Sequence, residues 1–304
     1  MKIGIDIGGS HIGIGLIDEN GEILNYKEKY IVKSISDEFH IDITNIKNEI
    51  EEFIISTVNE YKNNQVIEYI GIAVPGTVNE KKIIKAVNLG LENYNISNII
   101  EEKTGLKVKL KNDAKCSALA EKKYGNLREF KNGVYLCIGT GVGGAVIYKG
   151  ELLEAEDVPG FEFSHVVIQK NGLMCNCGKR GCFEVYASIK RFKEKIKEEF
   201  NLEDLENSNI KEFIEKNIED VKLKYLINQY VENLAIGISN IINIFEPEAI
   251  CIGGSFAEYE KILYNPLKQT LLNGNLLFNK RDDIIIKHAK LKNDAGIIGA
   301  TLIE

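Results

Sequence analysis

The sequence predicts an α/β protein of two similar halves, and three observations carry that expectation. A β-rich opening with glycines at its first turn occurs twice, at Gly8-Gly9 and at Gly139-Thr140-Gly141. Long segments with apolar residues three and four apart, the period of a helix buried along one side, follow each opening. Short apolar runs of strand length, ended by glycine, proline or asparagine, come between and after those helices. Two such halves facing across a cleft form a bilobal α/β enzyme.

Lys2 to Ile7 is apolar and β-rich, and His11 to Ile17 and Ile23 to Ile31 follow it as further strands. Asp18-Glu19-Asn20-Gly21 joins the latter two. Asn-Gly between alternating apolar runs marks a hairpin, because both residues tolerate positive φ. Ser36 to Tyr61 reads as a helix on the spacing of Ile43, Ile46, Ile50, Phe53, Ile54 and Val58. Tyr69 to Val74 is a buried strand ending at Pro75-Gly76. Val108 to Leu110 is another, running into Asn112-Asp113 and a helix from Ala114 to Tyr124. The second hairpin joins Gly133–Gly139 to Gly143–Tyr148. Leu223 to Phe245 is a long helix with Leu226, Ile227, Tyr230, Val231, Leu234, Ile238, Ile241 and Ile242 on one side, stopped by Pro247. Ala249 to Ile252 is a short buried strand ending at Gly253-Gly254, and Ala295 to Ile303 closes the chain as a small apolar helix. The expected division is a smaller lobe over 1–112, completed by the C-terminal helix at 294–304, and a larger lobe over 113–293.

A chain of 304 residues with 44% hydrophobic and 27% charged residues has apolar material for a sizeable core and reads as a soluble globular protein. The net charge of −7 is spread with both signs interleaved. No basic stripe tracks a phosphate backbone, so nucleic acid is not an expected partner. Asp6 interrupts any signal-peptide core. The longest uncharged run, Gly133 to Tyr148, is too short for a membrane span and carries five glycines. A cytoplasmic location is expected, without membrane association. Thiols stay reduced there, so grouped cysteines point to metal or catalysis before disulfides.

Asp6-Ile7-Gly8-Gly9-Ser10 lies where one strand turns into the next. Glycines let backbone amides approach an anion, Ser10 adds a hydroxyl, and Asp6 is placed to reach a phosphate-bound Mg²⁺ through water. An ordinary glycine hairpin turn accounts for the same residues. Gly139-Thr140-Gly141 repeats the device, and Gly253-Gly254-Ser255 makes a third turn, at a strand end opening a helix. Three such turns in repeated halves point to a nucleotide. Neither a G-x-G-x-x-G opening a helix nor a G-x-x-x-x-G-K-[ST] is present, which leaves Rossmann and P-loop readings without support.

Asp113 stands at a predicted strand end, where a carboxylate can orient an alcohol and accept its proton during phosphoryl transfer; an aspartate capping the following helix is the alternative. His165, Cys175, Cys177 and Cys182 give H-x9-C-x-C-x4-C, a Cys₃His set suited to a closed, structural Zn²⁺ site, with Gly178 and Gly181 supplying tight turns. Buried thiols or a disulfide are the alternatives, the second disfavoured by the compartment. Glu162 precedes His165 by three residues and Glu184 follows Cys182 by two, so closing the loop on a metal brings both carboxylates to one wall. A His165 that ligates through one ring nitrogen can donate from the other to a sugar hydroxyl.

Together these residues resemble the repressor–open-reading-frame–kinase (ROK) family of sugar kinases, over essentially the whole chain. The most specific part is E-x-x-H followed by C-x-C-G-x-x-G-C-x-E, Glu162 to Glu184. Asp6-Ile-Gly-Gly-Ser10, Val74-Pro75-Gly76, Asn112-Asp113, Gly139 to Gly144 and Asn293-Asp294-Ala295-Gly296 match in the family's order. The resemblance implies an actin-like ATPase fold of two RNase-H-like lobes, with ATP and sugar in the cleft. It implies Asp113 as the base for the sugar 6-hydroxyl, and Asn112, Glu162, His165 and Glu184 on the ring hydroxyls with Gly76 nearby. It also implies an oligomer, commonly a homodimer and in some members a tetramer, with the dimer surface expected on the larger lobe. The expected activity is ATP-dependent phosphorylation of a hexose or N-acylhexosamine, glucose or N-acetylmannosamine foremost.

Two departures stand out: Ser10-His11 where many family kinases have Thr-Lys, and Ser164 in place of a glycine before His165. The family's repressors carry a helix-turn-helix ahead of the first phosphate turn, and with seven residues before Gly8 none is expected here. The alternative kept open is a sugar-responsive regulator without kinase activity, against which the presence of Asp113 argues.

Overall fold

Isoleucine at every second position sets β1 (Lys2–Ile7), whose Ile3, Ile5 and Ile7 are wholly buried. In the computed structural model the described residues are 1–9, 11–31, 43–155, 161–274, 276–278 and 285–304. They divide into two compact units. The first gathers Met1–Arg128 and Leu291–Glu304, and the second gathers Glu129–Glu154 and Gly160–Lys290.

In the first unit β2 (His11–Ile17) returns antiparallel to β1, and β3 (Ile23–Tyr30) pairs with β2. Asp18 holds their turn, accepting from the amides of Asn20 (2.9 Å) and Glu22 (2.8 Å); the Glu22 amide keeps its carboxyl below the usual range. Of the Asn-Gly pair, Gly21 takes the positive φ, +81°. α1 (Ile43–Asn64) buries Ile46, Ile50, Ile54 and Val58, one per turn. The expected helical stretch 36–42 lies outside the described residues.

β4 (Ile70–Val74) runs parallel to β1. An antiparallel sheet of β5 (Thr77–Val78), β6 (Ile83–Ala86) and β7 (Leu91–Tyr94) follows, then α2 (Ile96–Thr104) and β8 (Val108–Asn112), parallel to β4. The main sheet therefore reads β3-β2-β1-β4-β8. α3 (Asp113–Lys123) leaves β8 and shares an apolar cluster with the C-terminal helix Ala295–Ala300 through Ala120, Ala295, Ile297 and Ile298.

That C-terminal helix lies directly on the sheet. A methyl group on Gly71 would sit 1.8 Å from the Ala300 carbonyl oxygen, and one on Gly4 would sit 2.0 Å from that of Ile297. The fully buried Glu121 of α3 accepts from the amides of Asn126 (2.8 Å) and Leu291 (2.7 Å), fixing where the chain returns. α3 thus stays with the first unit to Arg128, whereas the expected division at Asn112 falls on the β8–α3 turn inside it.

The second unit repeats the pattern. β9 (Gly133–Ile138) and β10 (Val142–Tyr148) form the hairpin, β11 (Glu151–Leu152) adds to β10, and β12 (Ala249–Gly253) and β13 (Ile286–His288) extend the sheet in parallel. The order β11-β10-β9-β12-β13 matches that of the first sheet position for position. Helices α4 (Glu184–Ala187), α5 (Ile189–Phe200), α6 (Ile210–Lys216), α7 (Val221–Phe245) and α8 (Glu260–Asn273) complete it. α7 supplies Leu223, Val231, Leu234 and Ile238 to a core shared with Val134, Leu136, Ile252 and Phe256. It ends where Glu246 turns left-handed (φ +45°), since the residue before Pro247 is disfavoured in helical conformation. No helix among the described residues is long and apolar enough to cross a membrane.

Candidate active site

In the first unit the expected polar residues gather at the carboxyl ends of the parallel strands β1, β4 and β8, where open α/β sheets bind ligands. The registers place Asp6 opposite Ala73 and Val74 opposite Asn112. Asn112 ties two elements together. Its Oδ1 accepts from the amides of Ala114 (3.0 Å) and Lys115 (3.2 Å), capping α3, and its Nδ2 donates to the Gly76 carbonyl at 3.0 Å. Gly76 has φ +91°, and a methyl group there would meet the Lys85 carbonyl at 2.3 Å, so only glycine fits.

Helix capping, the alternative reading of Asp113, thus belongs to its neighbour Asn112. Asp113 opens the first turn of α3, where a negative side chain is favoured, and its Oδ1 accepts from the Ala114 amide at 2.8 Å. Asp6 is the electrostatic counterpart. Burial first, and the Asp113 charge second, push its carboxyl up from 3.8 to about 7. Gly296 closes over it, since a methyl group there would lie 2.3 Å from Asp6 Oδ2. The Gly8 amide donates to the His11 carbonyl at 2.8 Å, and Gly9 faces the Asn88 side chain. Ser10 lies outside the described residues.

In the second unit the two remaining glycine turns adjoin each other at the ends of parallel β9 and β12. Gly253 pairs opposite Cys137. A methyl group on Gly254 (φ +74°) would be 2.7 Å from the Ile138 carbonyl, and one on Gly139 would be 3.6 Å from Ser255 Oγ. Thr140 is exposed between Gly139 and Gly141. Glu184, half-buried at the start of α4, accepts from the Val142 amide at 3.1 Å, and the Lys190 amide donates to the Gly139 carbonyl at 3.2 Å. Glu162 is exposed at the entry to the short 3₁₀ turn Phe163–His165.

The ligand atoms of His165, Cys175, Cys177 and Cys182 all lie within 4.8 Å of one another. His165 Nδ1 is 3.8 Å from Cys175 Sγ, and Cys177 Sγ is 3.6 Å from Cys182 Sγ. A tetrahedral zinc with Zn–S of about 2.3 Å and Zn–N of about 2.0 Å requires edges of about 3.8 and 3.5 Å, so the set fits. A disulfide needs about 2.05 Å, which these thiols do not approach. Gly178 (φ +88°) and Gly181 (φ +82°) make the turns, and the bridge between Met174 and Arg180 closes the loop. Burial pushes the Cys175 thiol up and that of Cys182 up to about 12, while the Lys179 amide draws Cys177 down. Binding a metal here therefore releases protons. A cavity of 860 Å³ between this loop, α5 and α7 contains none of the expected site residues.

Sequence reasoning missed the hold of Glu184 on Val142, the contact of Lys190 with Gly139 and the buried Glu121. The Glu184–Val142, Lys190–Gly139 and Glu121–Leu291 contacts join residues too far apart in sequence for periodicity or motif spacing to register.

The ROK family's sequence profile matches residues 2–304. The chain is 30% identical to a glucokinase of Thermotoga maritima, over 99% of this chain and 96% of that protein. It is 31% identical to a xylose repressor of Bacillus spizizenii, over 88% of this chain and 67% of that one. A crystal structure of a ROK family glucokinase from Streptomyces griseus in complex with glucose and AMPPNP superposes with a TM-score of 0.79 at 24% identity, covering 98% of this chain and 97% of that one. The fold is the α/β actin-like ATPase fold.

Proposed function

The chain belongs to the ROK family, and from that premise we propose that it is a sugar kinase transferring the terminal phosphoryl group of ATP to the 6-hydroxyl of a hexose or N-acylhexosamine. The observation that carries this reading is the arrangement around Asp113: a carboxylate at the first turn of α3, beside half-buried Asp6, on a strand end tied to Gly76 through Asn112. The similarity to the Thermotoga maritima glucokinase supports it. So does the nucleotide-and-sugar complex of the Streptomyces griseus enzyme.

Asp113 orients the 6-hydroxyl and takes its proton as the new O–P bond forms and the bond to the ADP leaving group breaks. Asn112, Gly76, Glu162, His165 and Glu184 hold the sugar, fixing the primary alcohol for attack. Gly8, Gly9, Ser10, Gly139, Thr140 and Gly141 offer amides and hydroxyls to the phosphates, and Gly253 and Gly254 contact the nucleoside part. Asp6 suits a hard, oxygen-seeking cation and would hold Mg²⁺, which supplies charge neutralisation of the phosphates when bound. His165, Cys175, Cys177 and Cys182 would hold a structural Zn²⁺ that cross-links the loop between Glu162 and Glu184. The functional species is a homodimer, which light scattering on eluting protein tests directly.

The xylose repressor relative supports a second reading, a sugar-responsive regulator without transfer activity. A coupled ADP-release assay across glucose, N-acetylmannosamine, N-acetylglucosamine, allose and fructose separates the two. Release above the sugar-free background with at least one sugar is expected. Sugar binding without release from any of them would refute the kinase reading.

A further inference from the structure

Glu184 is bound to the glycine turn that the kinase reading assigns to phosphate. Its Oε2 accepts from the amide of Val142, the residue directly after Gly139–Gly141, at 3.1 Å. A methyl group on Gly141 would lie 2.6 Å from the same oxygen, so the carboxylate rests against the turn's backbone. The Lys190 amide, donating to the Gly139 carbonyl at 3.2 Å, staples the same segment a second time. Through these two bonds the chain leaving Cys182 is fastened to one turn.

Consecutive amides in a glycine turn attract anions, and here the anion on the turn is the protein's own. Carboxylates hold amides more strongly than neutral acceptors do. A phosphate oxygen seeking the Val142 amide has to displace Glu184, and it meets a like charge at contact distance. We infer that Glu184 is an internal stand-in for phosphate: it occupies the nucleotide turn until a sugar hydroxyl offers its carboxylate another donor, and so couples sugar binding to nucleotide binding. This rests on the kinase reading given above. The coupling is reciprocal, each ligand raising the other's affinity by the same factor.

Equilibrium titration of the full chain with MgAMPPNP, with and without saturating glucose or N-acetylmannosamine, tests it. Wild type is expected to bind the nucleotide roughly tenfold tighter when sugar is present. Glu184→Ala should bind MgAMPPNP roughly tenfold tighter than wild type without sugar and gain nothing further from sugar. Glu184→Gln keeps an acceptor but loses the charge, so it should fall between the two, and it stands in for the alanine variant if that one fails to fold. Sugar-free affinities equal to wild type in both variants, or wild-type affinity indifferent to sugar, would overturn the inference and leave the kinase reading standing. Absence of nucleotide binding in every protein and condition would overturn both.

Discussion

Asp6 gives the most direct test of the electrostatics. Its carboxyl stands at about 7 in the folded protein against 3.8 for an exposed aspartate. Between those values the unfolded chain has lost the proton while the folded chain keeps it. Folded protein therefore binds more protons, and stability falls as pH rises through this window, levelling off above about 7. At about 1.4 kcal/mol for each pH unit, the full difference is a ceiling of ~4 kcal/mol. Asp6 retains some solvent contact, so a loss of about 1–4 kcal/mol is expected.

Asp6→Asn replaces the group with a neutral one of the same shape and removes the penalty. Urea unfolding should then find the variant close to wild type near pH 3.5 (about where Asp6 is protonated in both states) and more stable by about 1–4 kcal/mol near pH 8. Asp113→Asn removes the second cause of the shift and should move the wild-type break toward lower pH. Stability–pH curves of wild type and Asp6→Asn running parallel across the whole range would refute the reasoning, because a half-exposed, unshifted aspartate behaves that way. If the kinase reading holds, the stabilised variant also loses its Mg²⁺-dependent turnover.

Asp113→Asn should lower kcat by roughly two to four orders of magnitude with the sugar KM little changed, the scale of general-base loss; steady-state ADP release measures it, and near-normal turnover removes Asp113 from the chemistry. Metal analysis of protein purified without chelator should find about one zinc ion for each chain, with thiol reagent reacting at Cys175, Cys177 and Cys182 only after chelation; metal-free protein with these thiols freely reactive would contradict the site. Cys177→Ser should lower both thermal stability and sugar affinity, the second readout separating a wall-building role from a merely structural one. Gly71→Ala puts a methyl group 1.8 Å from the Ala300 carbonyl and should destabilise by about 1–3 kcal/mol or more in chemical denaturation. A neutral effect would mean that the C-terminal helix does not lie on the sheet as described.

Much of the fold was legible because its signals are local. Alternating isoleucines, a buried stripe on α1 and another on α7, and glycines at strand ends each report burial or a turn from a short window. The Cys₃His set was legible for the same reason, its ligands lying within a single loop from His165 to Cys182. The strands of Thr77–Tyr94 were not foreseen, being too short for period-two alternation to accumulate. The helices α5, α6 and α8 lie outside the sequence expectation as well, although α5 is strongly amphipathic. Asn112 and Asp113 stand together at one strand end, but which of them caps α3 depends on the turn's dihedrals and on a Gly76 carbonyl brought there by β4.

What the sequence determined by itself was the repertoire: two strand-rich halves, three glycine turns, a metal-binding loop and a set of carboxylates of the right kind. The tertiary structure decided which groups meet. It set the C-terminal helix on Gly4 and Gly71, raised the Asp6 carboxyl by enclosing it near Asp113, and placed Glu184 on an amide forty-two positions earlier in the chain. The reason is physical: a residue's polarity and its neighbours' spacing dictate whether it is buried and how the backbone turns. The partner it finds inside depends on close packing among segments whose separation along the chain leaves no local trace.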